Sequence, residues 1–204
     1  AIPSDISAMI LAFYPAYMEF EGSSIALTVE ERTQITFWIA EAMQQPAATL
    51  TASLLFDYNT NYATPEENTQ LNEDPKSWNP RRDFHGQCVG YCNTFCIIQT
   101  AFNEHTFGCF LSKKIGSKLT NQRSQYIADE QAFLCVIRSG FAYHQPEIFK
   151  IRRECHGKAY WDTRQWGPSF GPKDLTLFSD SSGNTCNHQD TVFDQRLCGN
   201  LLCG

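Results

Sequence analysis

The stretch FLCVI, residues 133–137, decides the fold class of this chain. Five consecutive apolar residues suit a strand buried on both faces or a segment of a buried helix, and periodicity alone does not separate the two. The surroundings favour a helix over 122–139. Tyr126, Ile127, Phe133, Leu134 and Ile137 share its inner side, and Gly140 ends it. The strand reading changes the class from mainly α to α+β.

Other segments add to the helical expectation. Over 29–45, Thr28 stands three residues before Glu31, the spacing of a capping box. Ile35, Trp38, Ile39, Ala42 and Met43 then make one stripe, and Pro46 stops the helix. Residues 5–18 place Ile6, Met9, Ile10, Phe13 and Tyr17 in a similar way around Pro15. Residues 88–102 gather Cys88, Cys92, Phe95, Cys96 and Phe102 on one side, which predicts a helix. In 145–155, Pro146 takes a first-turn position, Glu147 follows it, and Arg152 and Arg153 lie at the far end, the punctuation of a short helix. LTASLLFDY, residues 50–58, suits strand or helix. Beyond residue 156 the chain is rich in Gly, Pro, Ser and Asn. The expected fold is mainly α, disulfide-rich, with an irregular, loop-rich C-terminal segment; the alternative is α+β.

The chain has 204 residues, 42% hydrophobic and 19% charged, a globular composition. No run of 18 apolar residues occurs, so no membrane span is expected. The start, AIPSD, lacks the basic opening of a signal peptide and suits a chain from which one has been removed. All nine cysteines lie in 88–203, at Cys88, Cys92, Cys96, Cys109, Cys135, Cys155, Cys186, Cys198 and Cys203. Irregular spacing of this kind indicates a disulfide framework in an oxidising compartment, hence a secreted, extracellular protein. The odd count leaves one thiol over, or one bonded to another molecule.

Charge divides the chain at the same place. Residues 1–80 hold eleven acids and two bases, and residues 81–204 hold eleven acids and fourteen bases. The basic excess is too small and scattered for a nucleic-acid groove. The two parts, 1–80 and 81–204, are expected to dock on each other across a linker at about 59–84. Arg81-Arg82 in that linker suits either a plain connection or a dibasic processing site that frees an acidic pro-segment.

The densest cysteine motif is GQCVGYCNTFC, residues 86–96. In a helix, spacing of four puts three sulfurs on one face, about 6 Å apart, too far for bonds among themselves. Each then bonds to a different neighbouring element, at least two of them beyond residue 105. Adding His85 gives H-x2-C-x3-C-x3-C, but one helix cannot surround a metal tetrahedrally, so no metal and no cofactor are expected.

GQC before a hydrophobic segment also resembles, over about ten residues, the start of papain-superfamily thiol hydrolases and of the cysteine- and histidine-dependent amidohydrolases. The resemblance implies Cys88 as nucleophile at a helix N-terminus, or Cys92 with Cys88 in a disulfide. Its histidine would be His144 or His188, the latter oriented by Asp190. Val89 follows Cys88 where the family places Trp or Ser, and no Gly-His motif follows.

AYWDTRQWGPSF brings Tyr160, Trp161, Trp166 and Phe170 together in a Gly/Pro-rich stretch. Such aromatics fill a loop-rich core or present a surface that stacks on sugars or anchors a protein. Without HExxH, GxSxG, a P-loop or GxGxxG, the function expected is a secreted, disulfide-stabilised interaction protein of effector, toxin or ligand-binding type. Its partner would be a protein or a carbohydrate. The alternative is a secreted thiol-dependent hydrolase or acyl transferase.

Overall fold

The computed structural model describes residues 17–57, 84–100, 105–116, 124–139, 145–163, 166–172, 174–178, 185–186 and 193. The expectation of a mainly α fold is overturned. Two antiparallel sheets dominate the described residues, one of four strands and one of five.

The helix at 29–45 stands. Helix α1 spans Val29–Met43, and Thr28 and Glu31 form the capping box: the Glu31 amide donates to Thr28 Oγ1 at 3.2 Å and the Thr28 amide to Glu31 Oε2 at 2.8 Å. Gln44 closes it in the left-handed conformation, two residues before Pro46. Residues 50–57, expected to be strand or helix, lie in neither. Helix α2 is only Phe84–Cys88.

Strands replace the other described helical expectations. The first sheet has the order β1 (Thr94–Gln99), β2 (Thr106–Leu111), β4 (Phe133–Arg138), β5 (Glu147–Lys150). The second has β3 (Gln125–Ile127), β6 (Tyr160–Asp162), β7 (Trp166–Phe170), β8 (Leu175–Phe178), β9 (Thr185–Cys186). Thus the described part of 122–139 holds two strands, and 145–155 holds β5 followed by the start of a 3-10 segment, Arg153–Lys158. The proposed 5–18 helix falls almost wholly outside the described residues.

The packing explains why FLCVI is a strand. On β4, Leu134 and Val136 enter one core, while Phe133, Cys135 and Ile137 enter the other. β2 divides likewise: Phe107, Cys109 and Leu111 on one side, Phe110 on the other. The first core lies between the two sheets, where Ile127, Tyr160, Phe170 and Leu175 meet those residues. The second lies under α1, where Ile35, Trp38 and Ile39 pack with Phe110 and Phe133. The first sheet is therefore the middle of three layers, apolar on both faces. Apolar side chains on both faces erase the alternation that would have marked its strands.

Residues 17–57 thus share a core with the Cys-rich part. The Met18 amide donates to Thr36 Oγ1 at 2.8 Å, and Lys150 Nζ reaches Glu41 Oε1 at 2.6 Å. Arg32 pairs with Glu19 and lies over the Tyr17 ring, 4.8 Å from its centroid. Among the described residues no helix is long and apolar enough to cross a membrane.

Candidate functional site

The segment GQCVGYCNTFC does not form one helix. α2 ends at Cys88, Gly90 and Asn93 take φ values of 97° and 53°, and β1 begins at Thr94. Two left-handed residues break a helix, and the β-branched and aromatic run after them extends into a strand. The three cysteines consequently occupy three environments. Cys88 is buried in the core between the sheets, Cys92 is exposed, and Cys96 sits half-buried on β1 directly opposite Cys109 on β2. The expectation of three sulfurs on one helical face is corrected accordingly. No disulfide closes at Cys88, Cys92, Cys96, Cys109, Cys135 or Cys155.

Cys88 is the last residue of α2, whereas the thiol-hydrolase resemblance places its nucleophile at a helix start. His144, His188 and Asp190 lie outside the described residues, as do Arg81 and Arg82. No group of three His, Cys, Asp or Glu side chains suited to a metal occurs among the described residues.

The turn between α2 and β1 is braced by a second loop, 112–116. The Gly90 amide donates to the Ile115 carbonyl at 2.9 Å, the Ile115 amide to the Tyr91 carbonyl at 3.0 Å, and the Asn93 amide to the Ser112 carbonyl at 3.3 Å. The second loop is anchored in turn. Buried Asp129 accepts from the Ser112 amide at 2.6 Å, the Ser112 hydroxyl at 2.7 Å and the Gln131 amide at 3.0 Å. Ile115 is buried beneath the pair of loops. Gly116, at φ 70°, lets Val89 approach: a Cβ there would come within 2.8 Å of Val89 Cγ2.

This two-loop tip holds apolar groups in water. Val89 is 44% exposed and Tyr91 51%. Beside them stand the exposed side chains of Cys92, Lys113 and Lys114. Phe37 is also exposed, but it stands on the outer face of α1 without such a setting. The tip, braced by these hydrogen bonds, presents an aliphatic group, a phenol, a thiol and two ammonium groups to solvent. Sequence reasoning passed over Val89, Tyr91, Lys113 and Lys114. The turn-forming Gly90 and Asn93 were the available signal.

The aromatic cluster divides. Tyr160 and Phe170 are buried, with ring centroids 5.4 Å apart at 79°, and Phe170 also meets Phe193 at 6.1 Å. They fill the core and do not form the expected binding surface, because alternate residues of β6 point inward. Trp161, on the other face, is half-buried against Tyr126, 4.5 Å between centroids. The backbone of Trp166 opens β7.

Burial sets the chemistry of the inner thiols. Cys109 is pushed up by burial first, then by the hydrogen bond and charge of Cys96 and the charge of Cys135, against a smaller pull from the Cys96 amide. Cys135 is pushed up by burial, offset in part by the Gly108 amide. Burial also raises the Tyr160 phenol, followed by the charges of Asp162, Cys96, Cys109 and Cys88, which places those groups around it. The phenol oxygen has no hydrogen-bond partner among the described residues. Elsewhere, a shallow depression of about 230 Å³ is lined by Glu19, Glu21 and Arg32 with Phe20, Ile25, Ala26 and Leu27.

No protein-family model, curated protein or solved structure matches this chain.

Proposed function

We propose that this chain is a secreted, disulfide-stabilised interaction protein whose contact surface is the tip formed by residues 89–93 and 112–116. The observation that carries this reading is the exposure of Val89 and Tyr91 on a turn fixed by three backbone hydrogen bonds to a neighbouring loop. Fixing the turn beforehand lowers the ordering cost of binding. Tyrosine is among the residues that dominate interface energies. Lys113 and Lys114 favour a protein partner with an acidic rim around an apolar pocket.

The burial of Cys88 at the trailing end of α2 weighs against the thiol-hydrolase alternative, since the negative end of a helix does not favour a thiolate. Nine cysteines support the oxidising compartment.

The test is binding of the full chain to a panel of extracellular proteins and glycans, repeated with Tyr91→Ala and Val89→Ser. A protein ligand whose affinity falls at least about tenfold with Tyr91→Ala supports the reading. Protein ligands bound equally well by both variants, or glycan ligands alone, would overturn it.

A further inference from the structure

The geometry points to a cross-strand disulfide between Cys96 on β1 and Cys109 on β2, which fastens the edge strand beneath the tip. The bond rests on the proposed function for its oxidising surroundings, but the assignment of the pair does not.

Cys96 and Cys109 are direct partners in an antiparallel ladder. Directly opposed residues in such a ladder have Cα atoms about 4.5–5.5 Å apart. Disulfides require about 4.4–6.8 Å. Both side chains face the core between the sheets, where the Cys96 thiol is close enough to act on Cys109.

The other described cysteines fit less well. Cys135 is the register partner of Gly108 and faces the opposite core, under α1. Cys92 is exposed in the turn. Cys88 and Cys155 adjoin the same core as Cys109, but neither lies opposite it in the ladder.

The two thiols divide the exchange between them. Cys96 is half-buried on the edge strand and meets the oxidant first. Its thiolate attacks one sulfur of a small-molecule disulfide such as glutathione disulfide, forming a mixed disulfide and releasing one glutathione thiolate. That thiolate takes up the proton lost by Cys96. Cys109, fully buried on β2, then gives up its proton and attacks the Cys96 sulfur. The Cys96–Cys109 bond forms, and the second glutathione leaves as its thiol with that proton. Two protein thiols are oxidised and one disulfide is reduced to two thiols.

The bond has a consequence for the surface. Among the described residues β1 pairs only with β2, and the tip enters directly into β1. A covalent tie between β1 and β2 holds the tip at its base.

The test uses the full chain, equilibrated with glutathione and glutathione disulfide, acid-quenched, alkylated and digested. Aromatic-specific cleavage at Tyr91, Phe95 and Phe102 separates Cys88, Cys92, Cys96 and Cys109. The expected product is a linked pair carrying Cys96 and Cys109, lighter by two hydrogens than its reduced form. Recovery of both cysteines separately alkylated, or of either bonded elsewhere, overturns the assignment. Protein from its natural source, quenched in the same way, supplies the second arm. If the bond forms with glutathione disulfide but is absent there, the pair stands and the secreted reading falls. In the Cys109→Ser variant Cys96 should be alkylated at least tenfold faster than in the oxidised wild type. Should that variant fail to fold, the wild-type map decides.

Discussion

Arg138 on β4 clamps Glu31 on α1 with two hydrogen bonds, Nε to Oε1 at 2.7 Å and Nη2 to Oε2 at 2.7 Å. The same guanidinium donates to the Ala26 carbonyl at 3.2 Å. One carboxylate thereby caps its own helix and ties that helix to the sheet. Burial pushes the Glu31 carboxyl up, but hydrogen bonds from Arg138 and Thr28 and the Arg138 charge outweigh it and hold the group below its ordinary 4.5.

A group held down in the folded state adds stability above its unfolded value and loses it as pH falls through the lower, folded value. The Glu31 contribution should therefore be intact at neutral pH and fade as pH drops below 4.5. A Glu31→Gln, Arg138→Ala double-mutant cycle should give a coupling of about 1–2 kcal/mol at pH 7, allowing for partial exposure. The coupling should shrink in acid. Equal coupling at pH 7 and pH 3 would refute the assignment.

Phe110 and Phe133 stack at 5.2 Å and 22° beneath α1, and both are fully buried. Phe133→Ala should cost about 3–5 kcal/mol in urea denaturation. Trp161→Ala, on the half-buried outer face of β6, should cost less. The reverse order would place the principal core elsewhere.

Gly116→Ala introduces a Cβ at φ 70° against Val89. A loss of about 1–3 kcal/mol is expected from the left-handed conformation and the contact. Binding should weaken with it, because Val89 must move. Unchanged melting temperature and binding would show that the two loops adjust freely.

In the reduced, native protein Cys92 should react with iodoacetamide at pH 8 well before Cys109 and Cys135. Cys92 is exposed, whereas burial hides the other two thiols and pushes them up. Simultaneous labelling of the three would mean that the sheet opens as readily as the turn.

A fragment of residues 83–204 should aggregate. It keeps Phe110, Phe133, Cys135 and Ile137 but lacks Ile35, Trp38 and Ile39, which cover them. Light scattering on the purified fragment checks this. A soluble, well-folded fragment with stronger partner binding would instead support release of a pro-segment after Arg82.

The sequence was most legible where local chemistry acts alone. Thr28, Glu31 and Pro46 define α1 because capping and helix-stopping depend on near neighbours. It was least legible in the first sheet. Leu134 and Phe133 face different cores, so both had to be apolar, and the run looked helical. The fourfold cysteine spacing misled similarly: Cys88, Cys92 and Cys96 share a helical period, but Gly90 and Asn93 interrupt it. The aromatic cluster hid a simple alternation, with Tyr160 inward and Trp161 outward. The tip was missed because exposure of Val89 and Tyr91 depends on a loop more than twenty positions onward.

The three-layer arrangement also governs the order of assembly. Glu31 and Arg138 are 107 positions apart, so α1 docks only after a long loop closes. Closure over such distances slows folding, and non-local strand pairing slows it further. A chain emerging from the ribosome completes α1 well before β4 and holds its apolar stripe unmatched until β4 has been made. During that interval Ile35, Trp38 and Ile39 are the groups most open to chaperones and to other nascent chains.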